Sequence, residues 1–290
     1  MTFILDAITE WIRELLIGSI EINLSGMFGD VNQRVGTIAA QVGQTPRGWN
    51  ANIFSLTQSL AETVILPIAG IIITYVLCVE LISMVTEKNS FSDNVDTFMF
   101  FKFVFKAWVA VLIVAHTFDI TMAVFDVAQH VVSRAAGVIS GSTAINIDAA
   151  IAYMDLEQYG IPELLLLTIQ TFIMSFAMQI MGIVITVILY GRMIEIYLAC
   201  SIAPIPLATM TSKEGWTGQM GPNYLRGLFS LGFQGFFLML CVGIYAVLVN
   251  DMIVSTNIHS AIFSVAAYTV LLCFAMIKSG SLAKSIFSAT

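Results

Sequence analysis

Charge is what this chain has least of. Asp, Glu, Lys and Arg make up 11% of its 290 residues, against 58% hydrophobic, where soluble domains average roughly 25% charged. From Leu164 to Gly191 the run LLLLTIQTFIMSFAMQIMGIVITVILYG holds no Asp, Glu, Lys, Arg or His. About 20 apolar residues suffice to cross the hydrocarbon core of a bilayer. A core helix of a soluble protein rarely stays uncharged so long. This is the composition of a polytopic membrane protein rather than of one anchored domain, and no soluble domain is apparent.

Other absences narrow the chemistry. Cysteine is scarce: Cys78, Cys200, Cys241 and Cys273 all fall in apolar segments, none near another at metal-ligand spacing. They read as buried free thiols rather than disulfides or zinc ligands. Basic residues are outnumbered, with a formal net charge of −7. That argues against a nucleic-acid-binding surface, but not against a pore that nucleic acid passes through. The start, MTFILDAITEWIREL, lacks the basic opening, apolar core and small-residue cleavage site of a signal peptide. No phosphate-cradling Gly-rich loop, HExxH, GxSxG or catalytic carboxylate pair is found. EGWTGQMGP follows no strand and precedes no phosphate-binding lysine, so it reads as a loop. The expectation is a non-enzyme without cofactor or metal.

What is present is helical periodicity. Over residues 3–22, Ile4, Leu5, Ile8, Trp11, Ile12, Leu15, Leu16 and Ile20 share one face at 100° per residue. Asp6, Glu10, Arg13, Glu14 and Glu21 share the other. This segregation predicts an amphipathic helix, lying in the membrane interface or packing on other helices. Residues 23–58 are polar and Gly-rich and read as loop with a short helix at most. Five spans are expected, at about 62–84, 103–125, 164–190, 227–249 and 258–277. The second is led by an aromatic run from Phe98 to Trp108 that suits an interfacial belt.

One apolar piece remains, Met193–Thr211, carrying Glu195 and the pair Pro204 and Pro206. Two prolines two apart remove backbone donors, and broken backbone at membrane depth needs protein or water to cover it. It reads as a re-entrant, Pro-broken segment, with six full spans as the alternative. The fold class is therefore all-α and polytopic: residues 1–58 are an amphipathic helix and polar outside segment, and residues 59–290 the transmembrane part. Lys88, Lys102 and Lys106, together with Lys278 and Lys284, sit tight against span ends. By the positive-inside rule this places the N-terminus outside and the C-terminus in the cytoplasm.

Few ionisable groups are candidates for a site. His116, Asp119, Asp126 and His130 cluster near one span end, at spacings that make 116 and 119, and 126 and 130, helix neighbours. Snorkelling at a span end is the simpler account of them. Glu80 reads as helix-end solvation. Glu195 follows Arg192 at i+3, a spacing that permits an ion pair at the entrance to the broken segment. A transport-linked carboxylate is the competing reading of Glu195, since discontinuous helices mark transporter substrate sites. Against transport, Pro67 has no counterpart to Pro204 and Pro206 in a matching half.

From Arg192 onward the order of features becomes specific: RMIEIYLACSIAPIPLATM, a polar turn SKEGWTGQMGPNYLRGL, then the span FSLGFQGFFLMLCVGIYAVLV. An A-P-x-P-L segment, a turn with Trp and an Arg at the next span's entry resemble the TrbL-like family. These are polytopic inner-membrane components of conjugative type IV secretion systems. The resemblance implies a multi-copy scaffold or channel subunit in the cell membrane. Its implied partners are further copies of itself, membrane lipid, secretion ATPases and a cell-wall hydrolase, and its cargo is DNA with an attached relaxase, passed without tight binding. The positions matching the pattern are Ala203, Pro204, Pro206, Trp216 and Arg226, which join Arg192 and Glu195 as channel or assembly candidates. The resemblance implies that they shape an inter-subunit contact or a channel wall. A purely structural membrane adaptor is the remaining alternative.

Overall fold

The computed structural model describes residues 2–88, 97–140, 156–212, 217–253 and 258–289. The apolar runs form helices because in lipid every backbone N–H and C=O must be satisfied within its own segment. The helices are α1 (Thr2–Val42), α2 (Pro46–Trp49), α3 (Ala51–Leu60), α4 (Leu66–Lys88), α5 (Thr97–Ala115), α6 (Thr117–Ser140), α7 (Ile161–Ile202), α8 (Pro204–Ala208), α9 (Thr217–Ile253) and α10 (Ile258–Ile286). No strand occurs among the described residues. The fold is all-α, as expected. Four helical stretches are long and apolar enough to cross a membrane: Ala51–Thr86, Ile161–Ile202, Thr217–Met252 and His259–Ile286. A bent pair, Phe100–Ala115 with Thr117–Ile139, makes a fifth if counted as one span.

Three expectations about local structure are corrected. The first concerns residues 23–58, which are not loop: α1 continues unbroken to Val42, and α2 and α3 follow almost at once. The stretch looked polar because Gly26, Gly29 and Gly36 interrupt it, yet a Cβ at any of them would meet nothing within 4 Å. What holds the helix is the stripe Ile20, Leu24, Met27, Phe28, Val31, Ile38 and Val42, all buried. Tertiary packing of one face outweighs poor intrinsic propensity. The apolar face read from residues 3–22 divides accordingly. Leu16 and Ile20 are buried, while Ile4, Ile8, Trp11 and Leu15 are exposed.

The second concerns the span expected at 103–125, which is not one straight helix. It bends by 69° at His116, where neither Pro nor Gly gives a signal. The Thr117 hydroxyl instead donates to the carbonyls of Ile113 at 3.0 Å and Val114 at 2.8 Å. Such bonding back onto the preceding turn competes with the backbone ladder and bends helices. The third concerns the expected start of the first span at 62. The helix instead begins at Ala51 and passes through a π turn, Ala61–Ile65, into α4. Pro67 lacks the N–H that would close an ordinary α turn. The wider turn immediately before it, with Leu66 N–H reaching the Ala61 carbonyl, absorbs that loss.

The chain forms two compact units. The first comprises residues 1–43, 132–190 and 236–279; the second comprises 44–131, 191–235 and 280–290. In the first, the buried stripe of α1 packs with Leu164, Leu167, Met178, Ile185 and Leu189 of α7, and with apolar residues of α9 and α10. Burial from lipid adds no hydrophobic driving force between helices, so close packing and interhelical hydrogen bonds must hold them. Tyr245 and Thr269 supply one such bond, 2.8 Å between hydroxyls, and Nδ1 of His259 meets the Gln170 amide oxygen at 2.6 Å.

The second unit is built around two caps and an aromatic latch. Thr45 Oγ1 accepts from Gly48 N–H at 3.1 Å, and Asn50 Oδ1 accepts from the N–H groups of Asn52 and Ile53 at 3.0 Å each. These caps start α2 and α3 by satisfying their orphan donors. Tyr197 of α7 then donates its hydroxyl to the Pro46 carbonyl at 2.6 Å, with its ring 5.9 Å from that of Trp49.

Candidate functional site

The Pro-broken segment resolves into a tight turn within the second unit. Met193–Ile202 continue α7 without interruption; the break falls at Ala203, and Pro204–Ala208 form the short helix α8. Ala203, Pro204, Pro206, Leu207 and Ala208 are all buried. Thr209 closes the turn twice on the Pro206 carbonyl, by its N–H at 3.1 Å and its hydroxyl at 2.8 Å. Pro204 cannot donate to the Cys200 carbonyl, which instead accepts from Ala203 N–H at 3.4 Å. The turn lies against α4 and α5, where Ala208 joins Ala69, Ile73, Ala110 and Val114 in one apolar cluster.

Helix α9 binds this turn through glycine. A Cβ on Gly221 would stand 2.8 Å from Met210 Cα and 3.0 Å from the Pro206 carbonyl oxygen. Backbone meets backbone there, so only glycine fits. The loop expected over the Gly215, Gly218 and Gly221 spacing is corrected in part: Gly218 and Gly221 open a 37-residue helix. One turn further along, Tyr224 donates to the Ala199 carbonyl at 2.9 Å.

Gly232 makes a second close approach, since its Cβ would lie 2.9 Å from that of Ala128 on α6. Its carbonyl, with that of Leu231, receives Arg192. Nη2 reaches Gly232 O at 3.4 Å and Nε reaches Leu231 O at 3.4 Å. Both are at the long limit of a hydrogen bond. Arg192 is only 8% exposed. Among the described residues no carboxylate lies within ion-pair distance of it. The expected pair with Glu195 does not form; Glu195 is exposed on an unbroken stretch of α7, while Arg192 turns inward to α9. Among the described residues, carbonyl dipoles alone hold this buried cation.

The remaining candidates are apart from this knot. Arg226 is exposed on α9, and Trp216 lies outside the described residues. His116 and Asp119 stand 3.6 Å apart with both side chains mostly exposed, and no group of three metal-ligating side chains occurs among the described residues. Sequence reasoning also missed an ion pair. Glu80 is not solvated at a helix end; it pairs with Lys106 across α4 and α5, each side chain about a quarter exposed. Its second oxygen, Oε2, is buried without a hydrogen-bond partner. The signal available was an acid well inside one span, Glu80, and a base inside the next, Lys106.

This is a membrane protein whose long helix α7 ends in a buried proline turn. The family described as TrbL/VirB6 plasmid conjugal transfer like protein matches residues 31–204. The chain belongs to that family. The match covers more than half the chain, from the second half of α1 to the first proline of the turn, and it includes Arg192, Glu195, Ala203 and Pro204. Pro206, Trp216 and Arg226 lie past its end. The TrbL/VirB6 membership makes the chain a conjugal transfer component. No curated protein and no solved structure matches it.

Proposed function

We propose that this protein is a multi-copy membrane scaffold, lining or framing the channel of a conjugative type IV secretion system. In this role it supports export of DNA joined to its relaxase across the cell membrane. The observation that carries the proposal is the TrbL/VirB6 match over residues 31–204, laid on helices apolar enough to span a bilayer. Several copies are required, because five or so spans from one chain cannot enclose a path for a protein–DNA conjugate. The Pro204–Pro206 turn, locked backbone to backbone by Gly221, supports a rigid framing role. The chain's acidic balance, −7 overall, supports passage without retention, since phosphate contacts dominate nucleic-acid affinity.

Its working partners are the system's secretion ATPases and a cell-wall hydrolase. No catalytic step and no cofactor is assigned to this chain. Purification of the tagged protein from its host in mild detergent, with mass spectrometry of what accompanies it, tests the proposal. Recovery as an oligomer with an ATPase and a hydrolase is expected. A monodisperse monomer without partners, displaying saturable solute flux in proteoliposomes, would replace it with the transporter reading.

A further inference from the structure

We infer that α1 is itself a membrane-crossing helix, clamped at mid-depth by an Asp30–Arg34 pair seated in a notch that Gly182 leaves in α7. Hydropathy alone does not find it, because Glu21, Asp30 and Arg34 interrupt the helix; α1 is not among the spans apolar enough by composition. Its contacts place it there. Arg13 donates to the carbonyls of Glu157 and, at 3.3 Å, Tyr159; Asn23 Nδ2 donates to Thr171 Oγ1 at 3.3 Å; Arg34 Nη2 donates to the Met178 carbonyl at 2.8 Å. The sequence separations at Tyr159, Thr171 and Met178 are 146, 148 and 144. A near-constant offset means that the two helices run parallel and in register. From Arg13 to Arg34 that register holds over roughly 30 Å at 1.5 Å per residue. A helix lying flat in the interface would meet α7 at one crossing only.

The partner of α1 in this register is the uncharged run Leu164–Gly191, which the bilayer must enclose. Met178 and Gly182 stand near its middle, so Arg34 sits near the centre of the hydrocarbon. Ionisable groups at that depth are costly and are kept where they pair. Asp30 stands 3.1 Å from Arg34 Nη2, one turn back on the same helix. At Gly182 the guanidinium occupies the space a Cβ would take. Any larger residue at 182 must expel Arg34 from its seat. It follows that the N-terminus and the residues after Val42 emerge on opposite membrane faces, which favours the packing alternative for residues 3–22 over the interfacial one.

Two measurements on the full chain test this. In a background with Cys78, Cys200, Cys241 and Cys273 changed to Ala, Glu10→Cys and Gln44→Cys are probed one at a time with a membrane-impermeant maleimide. One should label in intact cells and the other only after lysis; labelling of both from the same side overturns the crossing. Separately, Asn23→Cys with Thr171→Cys should cross-link on mild oxidation. Adding Gly182→Leu should cut the yield several-fold, and Arg34→Ala on top of it should restore the yield by returning the space. A cross-link indifferent to Gly182→Leu at equal membrane levels overturns the clamp.

Discussion

Arg34 and Arg192 are both withdrawn from solvent, and they are treated differently. Arg34, in the first unit, has a carboxylate at 3.1 Å, a carbonyl at 2.8 Å and a glycine opposite to make room. Arg192, in the second, has two carbonyls at 3.4 Å and no carboxylate among the described residues. The first is a charge whose field is answered within the chain. The second is a buried charge that, among the described residues, is met by carbonyl dipoles alone. The difference lies wholly in their surroundings, for both look alike as isolated basic letters in a sequence.

The largest effect is expected on removing the paired charge. Arg34→Met leaves Asp30 unpaired at membrane depth. Losing one member of a fully buried pair costs ~3–5 kcal/mol; Asp30 keeps 35% of its side-chain surface, so we expect roughly 2–3 kcal/mol, seen as a lower membrane level. Asp30→Asn in the same chain should recover part of it. An unchanged level in the single variant would contradict the pairing.

Gly221→Ala comes next. Its methyl must displace Met210 backbone, and overpacking of this kind costs about 1–3 kcal/mol. Thermal loss of the monodisperse peak in detergent should move several degrees down. A peak no less stable than the wild type would mean that the turn yields easily and frames nothing.

Arg192→Met sharpens the contrast. Replacing an unpaired buried charge by an apolar side chain of similar length is often neutral or stabilising. Stability should stay within about 1 kcal/mol of the wild type, while recovery of partners and DNA transfer fall. If transfer stays normal, Arg192 recognises nothing. The smallest effect is expected at Glu195→Lys. Glu195 is exposed and Arg192 faces away from it, so the new lysine meets no buried cation. A loss of insertion in this variant would restore the ion pair that the geometry denies.

How much of this was legible depends on where the deciding force sits. The span 164–190 was readable because an uncharged run imposes the bilayer by itself, and the break near Pro204 because proline cannot donate. Helix α1 beyond Glu21 was not, because its stability comes from packing against residues some 145 positions away. Local composition, with its glycines and Asn23, pointed the other way. The bend at His116 turns on which carbonyls one threonine hydroxyl selects. Gly221, Gly232 and Gly182 share a letter with Gly26, Gly29 and Gly36, yet the first three face a close neighbour and the others face open space. Only the paths of the neighbouring helices separate the two sets.

The most direct test of the central claim is the transfer frequency of the mobile element in a strain carrying an in-frame deletion of this chain, with and without a complementing copy. Transfer should be abolished by the deletion and return with the wild-type chain. Transfer at the normal frequency from the deletion strain would contradict it.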